Sequence, residues 1–301
     1  MTRVTAWVAA ATLLLTGCAG TSQETDASSL PSGGTTNDSP SLQHYVALGD
    51  SFTAAPYVPT TDLAEGCLRS DGNYPSLVAE RLGIADFTDV SCSAAEIRDL
   101  HRPQQTFRRS TVSAQLAALT KRTDLVTMSI GGNDFNLFGN LLQTCTKLRA
   151  LDPEGAPCTD KLALDGIDPD RQVTGIGTRL RRAVDDVARR SPEARILVVG
   201  YPRIAPADGT CPRLLPLATG DTRTAFRIAE GLRRAMEQAA RATGAEFVDM
   251  HSASRRHDVC ARTPWVNGRF TDRSAALAFH PLAAGMRAVA ARIVTRIQRR
   301  T

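Results

Sequence analysis

"YVALGDSFTA", residues 45–54, is the stretch whose reading decides the fold. Tyr45 to Leu48 form an apolar, strand-type run that closes at Gly49 and turns polar at Asp50 and Ser51. A short apolar run with such an ending reads as a buried strand and the turn that leaves it. A small hydroxyl just past a strand has two readings. Ser51 caps the following helix, or it is a nucleophile at the carboxyl edge of a sheet, where open α/β sheets place their sites.

Outward from this stretch the chain alternates. Residues 44–49, 85–92, 124–132, 194–202 and 245–250 read as strands, the fourth ("ARILVVGYP") as one buried on both faces. Residues 73–83, 111–121, 171–190, 221–244 and 281–298 carry apolar residues at helical spacing, with Pro281 in the first turn of the last. Gly175 and Gly177 interrupt the third of these helices early, and the region 134–170 is looser. The alternation predicts an α/β fold: a three-layer α/β/α sandwich, flavodoxin-like, around a parallel sheet of about five strands.

The length of 301 residues suits one large domain of this kind, and a hydrophobic content of 42% suits an ordinary core. The net charge is +5, yet the arginines are interleaved with acids, as in "RLRRAVDDVARR" (179–190). That pattern reads as solvated helix faces and argues against a nucleic-acid partner.

The N-terminus reads as an address label. Arg3 precedes the apolar "AWVAAATLLL" (6–15), too short for a permanent membrane span. "LTGC" (15–18) resembles the lipobox of bacterial lipoproteins, which implies a signal peptide over 1–17 and a lipid on Cys18. Ordinary secretion, with Cys18 lost, is the alternative. Residues 18–43 are rich in Ser, Thr, Gly and Pro and read as a flexible tether ahead of a folded domain over 44–301. The expected product is exported, either a lipoprotein of the cell membrane or extracellular, and monomeric. Six cysteines remain, an even number that implies disulfides in an exported chain. Other pairings are open, but neighbours in order are favoured: Cys67–Cys92, Cys145–Cys158 and Cys211–Cys260. There is no CxxC pair to suggest a zinc or thioredoxin-like site.

The strand ends converge on one chemistry. They carry Gly49-Asp50-Ser51, Ser91 to Ala94, Gly131 to Asp134, and Asp249 with His251; Phe279-His280-Pro281 precedes the last helix. Serine is a weak nucleophile until a base takes its proton, and histidine is the usual base. The intermediate of acyl transfer also needs donors for its oxyanion. The main-chain N–H of Ser51, one from the loop after strand two, and the amide of Asn133 are candidates.

"GDS" (49–51), "GGND" (131–134), "SCSAA" (91–95), "DVCARTPWVNG" (258–268) and the late His280-Pro281 together resemble the GDSL, or SGNH, hydrolases. The likeness is to the exported lipase/esterase branch known from actinobacteria, and it spans roughly residues 44–300. It implies a secreted carboxylic ester hydrolase that acts on ester or lipid substrates through a serine acyl-enzyme, with no cofactor and no metal. It also implies Ser51 as nucleophile and oxyanion donor, Asn133 as oxyanion donor and His280 as base.

Two positions depart from the family pattern. Ala94 stands where a glycine usually offers its N–H, which alanine can do if its backbone angles allow. Leu277 stands where many members carry an aspartate that orients the histidine. A Ser–His dyad is therefore expected, with the carbonyl of Leu277, or less favourably Ala278, holding His280; Asp272 folding back is a further alternative. His251 is read as a loop residue and a weaker candidate base, and Asp134 as a brace for its loop. The apolar "FNLFGNLL" (135–142) hints at an acyl-chain cleft. Two rival functions are a non-catalytic surface-binding protein on a degenerate hydrolase fold, and a polysaccharide deacetylase or acyltransferase using the same residues.

Overall fold

Strand β1 (His44–Gly49) turns Val46 and Leu48 into one apolar core, and Tyr45 and Ala47 into another. A strand buries both faces only where helices cover both sides of its sheet. The structure, a computed structural model, describes residues 42–299. The expected signal peptide 1–17, Cys18 and the tether as far as residue 41 lie outside the described residues.

The sheet continues with β2 (Asp86–Asp89), β3 (Leu125–Ser129), β4 (Arg195–Val199) and β5 (Glu246–Val248), all parallel, in the order β2-β1-β3-β4-β5. The helices are α1 (Ser51–Ala54), α2 (Tyr74–Leu82), α3 (Pro157–Leu164), α4 (Pro169–Arg190), α5 (Thr219–Ala242) and α6 (Ala283–Gln298), joined by shorter helical turns. On one face Leu48, Met128 and Val198 share a core with Ile176 and Leu180 of α4 and with Ile228 and Met236 of α5. On the other, Ala47, Leu125 and Leu197 share a core with Val78 of α2 and with Val289 and Ile293 of α6. Burial of each such Leu or Ile contributes about 1.5–3 kcal/mol, so these faces hold the layers together. This is the three-layer α/β/α sandwich read from the alternation. Its strand order reverses between β1 and β3, where Gly49 lies opposite Ser129. The crevice beyond that switch point is where such sheets bind ligands.

The cysteines join as Cys67–Cys92, Cys145–Cys158 and Cys211–Cys260. Several local expectations need correction. Residues 111–121 do not form a helix. Thr111–Val112 pair antiparallel with Gln104–Gln105, and only a 3-10 turn, Gln115–Ala118, follows. The reason is tertiary: the Gln115 amide is drawn onto the backbone of Gly49, donating to its carbonyl at 2.9 Å and accepting its N–H at 2.8 Å. Helix α4 starts at Pro169, capped by Asp168, and runs through both glycines without a break. Gly177 serves close packing instead: a Cβ there would lie 3.2 Å from the Cβ of Ala235 on α5. Pro281 is not in the last helix. It pairs with Val266 in an isolated bridge, and α6 begins at Ala283.

Candidate active site

At Gly49 a side chain is excluded: a Cβ would stand 2.6 Å from the Ser129 carbonyl oxygen and collide with Thr53 Oγ1. The next residue, Asp50, donates its N–H to that same carbonyl at 3.0 Å and accepts from Phe52 N–H through its side chain at 2.9 Å. Asp50, not Ser51, is therefore the cap of α1. This frees the Ser51 hydroxyl, which lies 2.8 Å from Nε2 of His280.

The other ring nitrogen, Nδ1, lies 2.8 Å from the carbonyl oxygen of Ala278. This corrects the expectation for Leu277. The Leu277 carbonyl accepts the main-chain N–H of His280 at 3.1 Å, closing a turn, and is also approached by Asn267 Nδ2 at 3.3 Å. Phe279 has φ +60° at the third position of that turn, as type II geometry requires, which leaves the Ala278 carbonyl free for the ring. Asp272 does not fold back. It is exposed and accepts from the N–H and hydroxyl of Ser274 at 2.9 and 2.6 Å, bonds that hold its carboxyl below the usual range.

Hydrogen bonds tie the other strand-end loops to this point. Cys92 N–H donates to the Gly49 carbonyl at 3.0 Å, and Ser93 N–H to the carbonyl of Cys67, the disulfide partner of Cys92, at 3.0 Å. Ala94, the next residue, is exposed, with φ +65°. Its N–H meets no protein acceptor among the described residues. Asn133 is half-buried; its Nδ2 donates to the Ala95 carbonyl at 3.0 Å and keeps a second proton. Asp134 is fully buried and accepts from Ile97 N–H at 2.8 Å and Arg179 Nη1 at 2.9 Å, so it braces the loop. Burial pushes its carboxyl up from the usual range.

Beneath these groups lies an aromatic cluster. The Phe52 ring centre is 5.2 Å from that of His280, 5.1 Å from Tyr201 and 5.5 Å from Phe138. Of the segment read as an acyl-cleft hint, Leu137 and Leu141 belong to the core, and Phe138 packs on Phe52; Phe135 is exposed. Burial depresses the His280 pKa below 6.5, which favours the neutral imidazole a base must be. Burial raises the Asp50 carboxyl to about 7.

It is His280, not His251, that meets Ser51; the His251 ring faces Glu230 and Phe226 of α5. His251 is buried in the turn Met250–Ala253, with Nδ1 3.1 Å from Glu230 Oε2. That approach lacks hydrogen-bond alignment, so neither ring nitrogen is satisfied. Sequence reasoning missed Tyr201, Gln115 and Arg179. Tyr201 had a signal: it stands two residues past the apolar stretch that ends at Val199, a strand-end position like those that drew attention to Ser51 and Asn133.

Residues 47–288 match the GDSL-like Lipase/Acylhydrolase family. The chain belongs to that family. Among curated relatives, Lipase 2 of Streptomyces coelicolor is 39% identical over 253 residues, covering 82% of this chain and 83% of that protein. Among solved structures, phospholipase A1 from Streptomyces albidoflavus NA297 superposes with a TM-score of 0.68 at 27% identity, covering 84% of this chain and 99% of that one. The extracellular lipase from Streptomyces rimosus has the same fold, with a TM-score of 0.68 at 24% identity and the same coverage. This member of the GDSL-like family is an ester hydrolase of the lipase/esterase class, and its substrates are esters or lipids.

Proposed function

We propose that this hydrolase works through a Ser51–His280 dyad and a covalent acyl-enzyme. The observation that carries the reading is the 2.8 Å contact between Ser51 Oγ and His280 Nε2. His280 Nε2 takes the Ser51 proton as Oγ adds to the ester carbonyl carbon. The Ala278 carbonyl accepts from Nδ1–H and so holds the tautomer that leaves Nε2 free. The oxyanion meets the N–H groups of Ser51 and Ala94 and the second proton of Asn133 Nδ2. His280 then protonates the departing alkoxide, and the alcohol leaves. Water, deprotonated by the same nitrogen, attacks the acyl carbon and regenerates Ser51 with release of the acid. All the groups come from one chain, which suits a monomer.

The test is hydrolysis of p-nitrophenyl esters from acetate to palmitate by residues 42–301. Ser51→Ala and His280→Ala should each lower kcat by about 10³-fold or more. A Ser51→Ala variant with normal turnover would overturn the assignment, and the preferred chain length would separate a lipase from an acetyl-ester deacetylase.

Export fits the apolar segment 6–15, and the extracellular Streptomyces rimosus lipase supports it by analogy. The small residues before Cys18 favour cleavage there and a lipid anchor. Radiolabelled palmitate should enter the full chain and be lost in Cys18→Ala; label retained in that variant would refute the anchor.

A further inference from the structure

Tyr201 follows β4, and nothing in the dyad chemistry uses it. Its ring is buried, edge-on to Phe52 at 5.1 Å and to Phe138 at 5.0 Å. Its hydroxyl does two things at once. It donates to Asp50 Oδ2, in a short hydrogen bond, and it accepts the N–H of Gly132 at 2.9 Å. Asp50 is the residue before Ser51, and Gly132 the residue before Asn133. One oxygen, supplied by a third strand, therefore joins the nucleophile block to the block that carries the amide donor.

The joint has no substitute. Asp50 Oδ1 is occupied by Phe52 N–H, and the main-chain N–H of Asp50 by the Ser129 carbonyl. Without the hydroxyl, Gly132 N–H and Asp50 Oδ2 are left buried and unpaired, at a cost that moving either loop relieves. Oxyanion stabilisation depends on donors placed before charge develops, so small loop movements are felt in the chemical step.

We propose that Tyr201 is a positioning residue for the ester hydrolysis, holding Ser51 and Asn133 in register through its paired bonds to Asp50 and Gly132. This rests on the dyad and oxyanion roles proposed above.

Tyr201→Phe keeps the ring in its aromatic cluster and deletes only the oxygen. With p-nitrophenyl butyrate at pH 8.5, its kcat should fall roughly 10- to 100-fold while KM changes less than about threefold. Asp50→Asn breaks the same joint from the other side. The double variant should be no slower than the slower single, because both remove one device. A fluorophosphonate should still label Ser51 stoichiometrically in Tyr201→Phe, but more slowly. A purely structural role would lower the melting temperature and leave kcat, the kcat-to-KM split and the labelling rate alone. Wild-type kcat in folded Tyr201→Phe, or kcat losses that multiply in the double variant, would overturn the proposal. If Tyr201→Phe does not fold, Asp50→Asn decides: wild-type kcat overturns it, and a selective kcat loss supports it. Failure of the dyad reading looks different, since then Ser51→Ala would itself stay active.

Discussion

His280 Nδ1 lies 2.8 Å from the carbonyl oxygen of Ala278, two residues back along its own chain. A main-chain acceptor fixes the ring tautomer without a carboxylate, so it gives up the charge that would stabilise the imidazolium. On the proposed dyad, no side chain at 277 or 272 is needed as a third catalytic group. Leu277→Ala and Asp272→Ala should each keep kcat/KM within about fivefold of the parent, while His280→Ala loses about 10³-fold or more. A hundredfold loss in Asp272→Ala would show a carboxylate reaching the ring after all. Esterase assays on the purified variants decide.

The acid side of the activity profile should report His280. Burial lowers its pKa, so the neutral base persists below pH 6.5 and activity falls only as pH drops through that lowered value. The half-maximal point of the kcat/KM acid limb is therefore expected below 6.5. Asp50, near 7, titrates close by, so the profile should also be taken in Asp50→Asn. A limb kept below 6.5 in that variant belongs to His280; one that vanishes with the carboxyl does not.

Ala94 holds a left-handed backbone angle, φ +65°, beside the site. Alanine is disfavoured there by about 1 kcal/mol relative to glycine, because its Cβ crowds the backbone. Ala94→Gly keeps the N–H and removes the crowding, but also loosens the unfolded chain. The net expectation is a gain of about 0.5 kcal/mol, read as a rise of one or two degrees in melting temperature. A drop of several degrees would mean that the methyl group packs favourably.

His251 should make the protein acid-sensitive. Burial pushes its pKa down to about 4, against the nearby Glu230 and Asp249 carboxylates and together with Arg203 and Arg233. The unfolded chain takes up a proton near pH 6.5 and the folded one only near 4, so stability is lost as pH falls across that window. His251→Phe, which would sit beside Phe226, removes the difference. Relative to the parent, it should be more stable at pH 5 than at pH 8 by roughly 1–2 kcal/mol, measured by urea unfolding at both. An equal effect at the two pH values would refute the linkage.

The layered fold was legible in the sequence because it depends on local patterns. The largely apolar runs at 45–48, 125–128 and 196–199 bury both their faces, and α4, α5 and α6 carry stripes at helical spacing. Such patterns act through neighbours in the chain, so they survive reading one residue at a time. Ser51 and His280 were also legible, as small polar or basic residues at breaks after or before apolar elements. Tertiary structure alone decided where long-range partners overrule local preference. The helical spacing of 111–121 yields because the Gln115 amide finds the Gly49 backbone 66 residues away. The acceptor for His280 moved from Leu277 to Ala278 because the turn consumed the first carbonyl. Tyr201 joins Asp50 across 151 residues, and no local pattern encodes a bond of that reach. Hydrophobic periodicity specifies which face is buried; it does not specify which buried polar atom meets which, because that depends on distances set only after the layers have packed.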